Sequence, residues 1–444
     1  MRRRLFILIL LLQACAPSLK HHERVEESLR SHDYLAADQA VAESRGDYGA
    51  RNTLLYLLDR GMLLHLAGRH AESNTFFEKA KTQMERLYTQ SLLTHTGALI
   101  SNDNLLPYEG EDFEKVLVHL FSALNYAAME KWDAALVEAR QVDARLNLLN
   151  DNYDKKNIYK KDAFARYLSG VLYEARGETN DAFISYRKAY DAFRDYRRDY
   201  RMSLPSRIGF DLLKTTDALH LNEEFESYKK IFPKAAAQFP LQQNTFEGEL
   251  VAVVYVGRSP IKEDFFINAP IPNGQGGTYL LTVALPKFVA RASSVTQVEL
   301  SMQQNERHLR VRLDLLEDIT AIAKKNLKDR VGRITAKAIA RAAAKYIATR
   351  EARRKIAPDK NDPVGQLIGA LGNVYALTTE QSDKRSWRTL PARIYLGRIL
   401  LSEGTWAGEV RYLGSQGQVI ESRPFSGLRV AAGQKRFMLA HTIR

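Results

Sequence analysis

Two stretches decide how the chain is read: GMLLHLAGRHAESNTFFEKA at residues 61–80 and GVLYEARGETNDAFISYRKA at residues 170–189. Set in register, Gly61, Gly68, Ser73, Phe77 and Ala80 fall on Gly170, Gly177, Ala182, Tyr186 and Ala189, with spacings of seven, five, four and three in both. The pattern predicts antiparallel helix pairs in which small residues permit close approach and a glycine breaks the chain between the helices. A third copy lies between them, carried by Ala123, Tyr126, Trp132, Ala135 and Ala139, with Glu130 in place of the turn glycine. The copies begin 62 and 47 residues apart, so they carry insertions. The longer insertion, Ser91 to Glu111, ends in an acidic run before a helix from Phe113. Carboxylates entering a helix N-terminus are favoured by its dipole, and a cation or ligand role is the alternative.

This spacing resembles the tetratricopeptide repeat, whose usual period is about 34 residues. Helical patterning runs from about Ser31 to Pro233, and helices at Tyr34–Glu43 and Ser206–Leu219 extend the stack without aligning to the repeat. Solenoids of this kind expose a concave face that grips a peptide or protein.

After Pro240 the texture changes to short strands between turn signals: Leu250–Val256, Tyr279–Leu285, Val295–Met302 and His308–Leu313, then Arg393–Leu401, Thr405–Leu413, Gln418–Glu421, Gly427–Ala431 and Gln434–Ala440. Eight or nine such strands suggest a sandwich, in the manner of an immunoglobulin domain. Between the two groups lies an insertion at about 318–380, Ala-rich and helical over 318–357, with a further helix expected near Gly365–Ala376. Residues 321–357 hold 12 Lys and Arg against two acids. Arg330, Arg333, Lys337, Arg341 and Lys345 share about a third of the helix circumference, with Ile334 sitting among them. That face is either the solvated outside of a packing helix or a contact for anionic headgroups and lipopolysaccharide phosphates.

The chain has 444 residues, 45% hydrophobic and 26% charged, with 65 Lys and Arg against 52 Asp and Glu and a single cysteine. One cysteine excludes a disulfide framework and a cysteine-based zinc site. It follows a basic start, Arg2 to Arg4, and the apolar run Leu5–Leu12, which is too short to span a bilayer. Leu12-Gln13-Ala14-Cys15 resembles the bacterial lipobox, which implies a signal peptide at 1–14, a lipidated Cys15 and a tether over 15–30. Ala16 after the cysteine resembles an outer-membrane sorting signal. Cleavage removes the three arginines and takes the net charge from +13 to +10, all of it within 321–357.

Catalytic motifs are lacking. No His-Glu-x-x-His occurs, and His65 and His70 straddle the turn at Gly68. Ser185-Tyr-Arg-Lys188 and Ser227-Tyr-Lys-Lys230 stand without the partner motifs of penicillin-binding proteins. Gly274–Gly277 precedes a strand, whereas a phosphate loop opens a helix. No metal or cofactor is expected, and a periplasmic address disfavours nucleic acid as a partner. One segment stands out: Arg385, Trp387 and Arg388, residue types rich at interaction hot spots. Its alternative is a structural corner in which Trp387 caps the β core and Arg385 pairs with Asp383.

The lipobox, Asp59-Arg60-Gly61-Met62, the run from Tyr108 to Lys115, Val137–Arg140 and Arg385–Pro391 together resemble a family of largely uncharacterised proteobacterial lipoproteins with tetratricopeptide-like repeats. That resemblance implies an envelope setting, through association with penicillin-binding-protein activator lipoproteins. The expectation is an α+β chain. A helical repeat solenoid at 31–240 precedes a β-sandwich-like domain at 241–444, the whole lipid-anchored at the outer membrane facing the periplasm. It would act as a non-enzymatic scaffold for an envelope protein partner in envelope or peptidoglycan assembly, with the peptidoglycan-synthesis machinery as the candidate partner. The alternative is a glycan- or lipid-binding module built on the β domain and its basic helix.

Overall fold

The structure, a computed structural model, describes residues 19–93, 104, 106–152, 162–242, 247–272, 278–356 and 381–444. Cys15, the signal peptide and the helix expected at 365–376 lie outside the described residues.

The helical elements are α1 (Leu19–Arg30), α2 (Tyr34–Glu43), α3 (Arg45–Tyr48), α4 (Thr53–Leu66), α5 (His70–Leu93), α6 (Asp112–Ala128), α7 (Trp132–Asn152), α8 (Ala163–Ala175), α9 (Thr179–Tyr200), α10 (Ile208–Ala218), α11 (Asn222–Ile231) and α12 (Pro233–Gln242). The pairs α1/α2, α4/α5, α6/α7, α8/α9 and α10/α11 turn on one left-handed residue each: His32, Gly68, Glu130, Gly177 and His220, with φ between 56° and 73°. All five turns make the same two bonds. The left-handed residue donates three positions back, and its successor donates five back, as in Arg69 N–H to the Leu64 carbonyl and Leu221 N–H to the Thr216 carbonyl. Three pairs were legible from glycine spacing and Glu130, whereas histidine at the left-handed position hid the other two. The stretch expected to be a tether is helical from Leu19, and among its described side chains Val25 and Leu29 are buried on its neighbours.

Small residues set the packing within the pairs. A Cβ on Gly170 would stand 2.5 Å from the Tyr186 ring, and Gly61 meets Phe77 in the same way.

The strands are β1 (Gly248–Val256), β2 (Ile261–Pro272), β3 (Thr278–Val289), β4 (Gln297–Gln304), β5 (Arg307–Arg312), β6 (Asp314–Asp318), β7 (Arg393–Leu401), β8 (Gly404–Leu413), β9 (Val419–Val430) and β10 (Lys435–Thr442), with α13 (Ile319–Ile356) between β6 and β7. They form one sheet in the order β10-β1-β7-β6, a second in the order β5-β4-β8-β9, and the separate hairpin β2-β3. β1 pairs parallel with β10 and antiparallel with β7. The two short strands expected at 418–421 and 427–431 are one strand, β9, whose register shifts along β8. β2 carries prolines that sequence patterning counts against a strand, and the two-stranded hairpin tolerates them at its end.

Both faces of β1 are buried. Leu250, Ala252, Val254 and Val256 meet Val298, Leu300, Trp406, Val410 and Tyr412 of the second sheet. The alternate residues Val251, Val253 and Tyr255 join Ile394, Leu396 and Phe437 in a core shared with the helices. A strand covered on both sides reads as an unbroken apolar run, which is the pattern at 250–256.

On α13 the cationic stripe was expected on the outside, and the structure turns Arg330 and Arg341 inward while Arg333 stays exposed. Arg341 is 5% exposed, Arg330 forms ion pairs with Glu111 and Asp112, and Val331 is 40% exposed. Ala338 and Ala342 pack on Val283 and Leu285 of β3, with Ile334 beside them. Ile334 among the cations was the sign that this side faces protein.

Candidate functional site

The seam between the repeat helices and the first sheet holds the main buried polar groups. Along β7 every second residue points at the helices, and that row ends in Arg398, with its side chain 1% exposed. Its guanidinium donates to Glu249 on β1 at 2.6 and 3.0 Å, to Asp211 on α10 at 2.9 Å, to Glu174 on α8 at 2.6 Å and to the Tyr186 hydroxyl at 2.9 Å. Lys435 on β10 also pairs with Glu249 and Glu174. Burial pushes Glu249 and Glu174 up, but the Arg398 and Lys435 charges hold both well below the usual carboxylate range. Burial prevails at Asp211, which is raised despite Arg398 and Arg207.

A second hub forms where α6 begins. Glu111 is the N-cap, and its partner Glu114 completes a capping box. Glu111 accepts from Lys262 of β2 and Arg330 of α13, and against the upward push of burial these cations bring it down to about 2. The acidic run thus does what the dipole argument expects and also binds two basic side chains from the β half. Glu114 accepts from the Tyr108 hydroxyl at 2.6 Å and from the Trp387 N–H at 2.7 Å, and burial beside Glu111 pushes it up to about 7.

Trp387, expected as a partner contact, is 0% exposed and packs edge-on against Phe77 and Phe121. Its indole N–H donates to Thr389, whose hydroxyl donates to Asp59. Burial raises Asp59 to about 6 against the hydrogen bonds of Tyr48 and Thr389. Arg385 pairs with Asp383 at 2.8 Å and donates to the Leu106 carbonyl. The structural-corner reading of this segment is the one the geometry has, because an indole wedged between aromatic rings of α5 and α6 offers nothing to an outside molecule. Arg388 is half-buried, and its carbonyl accepts from Arg291.

Of the anionic-contact candidates, Arg333 is exposed, Lys337 is half-buried and Arg341 is buried. Lys345 lies in α13, but its side chain is outside those described.

A third network joins α4, α5 and α6 to β1. Asn125 donates to Ser73 and Asn74, and its oxygen accepts from His65 Nδ1 at 2.6 Å and His70 Nδ1 at 2.8 Å. Burial, with His70 alongside, holds His65 down at about 3, so its ring is neutral. With Nδ1 donating, Nε2 accepts, and the Tyr255 hydroxyl donates to it at 2.8 Å. Sequence spacing placed His65 and His70 at a turn but could not show that both converge on Asn125.

Chemically, the charges of the first two hubs pair with one another across the seam. Among the described residues no group of three or more His, Cys, Asp or Glu could hold a metal ion, and no helix is long and apolar enough to cross a membrane.

No family model and no curated protein matches the sequence. Solved structures similar to part of the chain include MamA, at 13% identity and TM-score 0.32, covering 52% of this chain and 97% of that one. BtubC from P. vanneervenii has 13% identity and TM-score 0.34, covering 51% and 82%. The Rap conjugation gene regulator of plasmid pLS20, in complex with the Phr* peptide, has 14% identity and TM-score 0.28, covering 50% and 53%. At such identities and scores the likeness carries no statement about this chain.

Proposed function

We propose that the chain is a non-enzymatic scaffold lipoprotein, anchored through Cys15 at the periplasmic face of the outer membrane. There it would hold a protein partner, in the setting of envelope or peptidoglycan assembly, against one rigid helical and β body. The observation that supports this reading is the seam, whose buried charges and rings are spent on joining the halves. The same observation moves the partner's place. A free concave groove was expected, but the face presented by α4, α6, α8 and α10 is covered by β1, β7 and β10. A partner therefore meets outer surfaces. Among the described residues, Phe265 and Phe266 on β2 are the adjacent pair of large exposed apolar side chains, 51% and 55% exposed. Neighbours along a strand point to opposite faces, so the two rings offer one exposed apolar point on each face of the hairpin. The glycan- or lipid-binding alternative loses much of its basis with Arg330 and Arg341 turned inward.

Two measurements test the reading. Palmitate labelling in cells should be abolished by Cys15→Ala; persistence of label in that variant refutes the anchor. A photo-crosslinker at Phe266 should capture a defined envelope protein, whereas one at Trp387 should yield only contacts within the chain. Capture of a partner through residue 387 would overturn the closed seam.

A further inference from the structure

A cavity of about 250 Å³ opens at one end of the seam, along the edge of β10 that has no strand neighbour. Its walls are mixed. Leu66, Val410, Phe425 and Met438 supply apolar surface, while Tyr34, His441 and Arg423 supply polar groups.

The charges around it do not cancel. Glu421, the nearby carboxylate, is engaged by His32 at 2.9 Å and by the Thr442 hydroxyl at 2.6 Å. Arg423 touches the Tyr34 hydroxyl, which also contacts His32 Nδ1 at 2.9 Å, and makes a long ion pair of 3.9 Å with Glu421. His441, held at about 3 by burial, is neutral, and burial keeps the Tyr34 phenol protonated, at about 12. One guanidinium thus faces a pocket of mixed walls whose lining holds no other charged side chain. At the inner end the Tyr255 hydroxyl has given its hydrogen to His65, leaving its oxygen as an acceptor. Apolar walls with a few convergent polar groups are the make-up of small-molecule sites, and the volume suits a ligand of about a dozen non-hydrogen atoms.

We propose that this pocket binds a small monocarboxylate with an apolar body, its carboxylate on Arg423 and the Tyr34 hydroxyl and its body against Leu66, Phe425 and Met438. Two sources share that chemistry: a medium-chain acyl acid, and the C-terminal end of a peptide with apolar side chains. The peptide form also has amide N–H groups for the Tyr255 oxygen. The site is independent of the anchoring and scaffold reading, and its failure leaves that reading untouched.

The probes are octanoate and N-acetyl-valyl-leucine, titrated at millimolar concentration onto the full chain in lipid nanodiscs and followed by saturation-transfer NMR, with empty nanodiscs as blank. At least one probe should bind saturably. Arg423→Gln should weaken it roughly tenfold or more, the value of a charge-assisted hydrogen bond. Tyr34→Phe should weaken it by a smaller factor, and Arg429→Gln, on β9 outside the pocket, should leave it unchanged. Melting curves identify any variant that fails to fold, and Tyr34→Phe then carries the test. Binding of octanoate alone assigns an acyl acid, and binding of the dipeptide alone assigns a peptide terminus. Binding of neither probe, or binding indifferent to both substitutions at the pocket, overturns the proposal.

Discussion

Replacing Arg398 with alanine removes the single cation that Glu249, Asp211 and Glu174 share. Deleting one member of a buried ion pair typically costs about 3–5 kcal/mol, because the abandoned charge stays out of water. Lys435, Lys214 and Arg207 remain near the three carboxylates and soften the loss, so the expected cost is about 4 kcal/mol. With an unfolding entropy of about 2.1 cal/mol/K per residue, that lowers the melting temperature of a chain this long by roughly 4 °C. The sign of the pH dependence follows from the same contacts. In the native protein Glu249 and Glu174 are depressed, so the stability they contribute is present above the unfolded carboxylate range and is lost as pH falls below it. In Arg398→Ala burial acts on the carboxylates with less opposition and raises them, and the variant regains ground on acidification as they take up protons. The deficit should therefore be largest near neutral pH and shrink toward pH 4. Urea unfolding by circular dichroism from neutral pH to pH 4 reads both quantities. A loss below about 1 kcal/mol, the value of an exposed pair, would refute the argument, and so would a deficit that does not change with pH.

Glu114, raised to about 7, lowers stability as pH rises from the unfolded carboxylate value through 7. Glu114→Gln should flatten the urea-midpoint profile between pH 5 and 8 by an amount on the order of 3 kcal/mol. Gly170→Ala places a methyl 2.5 Å from the Tyr186 ring and should cost roughly 1–3 kcal/mol in denaturant unfolding, with partial recovery when Tyr186→Leu is added. His220→Gly relieves a residue at φ 56° and should raise stability by about 1 kcal/mol in the same assay. A fragment of residues 19–242 uncovers Phe121, Glu174 and Asp211 together. It should aggregate or lose its near-ultraviolet dichroism on size-exclusion and spectroscopic examination, and a monomeric fragment with native-like dichroism would show that the halves fold separately.

What the sequence disclosed, and what it withheld, follows from the reach of each signal. Glycine spacing reports a local constraint, so Gly61, Gly68, Gly170 and Gly177 were assigned to the packing and turn roles that the structure gives them. His32 and His220 occupy the same left-handed turns without glycine's signature, which is why the first and last helix pairs were not aligned. The strand at 250–256 was legible because apolar residues run unbroken, but nothing local says that its second face meets helices more than a hundred residues earlier. Trp387 and Arg398 illustrate the same limit. A tryptophan flanked by arginines looks alike whether it awaits a partner or is wedged against Phe77 and Phe121, and only the tertiary fold decides. The amphipathic plot of α13 failed for a different reason: it assumes that cations face water, whereas Arg330 found Glu111 some two hundred residues away.

Apolar surface alone would join the repeats to the sheet strongly but loosely in register, since rows of Val, Leu and Phe can slide by one residue pair at little cost. The seam instead carries three polar contacts set apart on different strands: Arg398 on β7, Lys262 on β2 with Arg330 on α13, and Tyr255 on β1. Each is satisfied in one docking geometry, and a slip of one residue would reverse which face of the strand its side chain occupies. Buried ions of this kind add little net stability compared with apolar replacements of similar volume, and their better-attested use is to fix register. Arg398→Met combined with Glu249→Leu separates the two roles. Recovery of part of the stability that Arg398→Ala loses, with broadened spectra from the β10 end of the seam, is the result expected of register pins; a sharp, uniform spectrum would mean that packing alone sets how the halves meet.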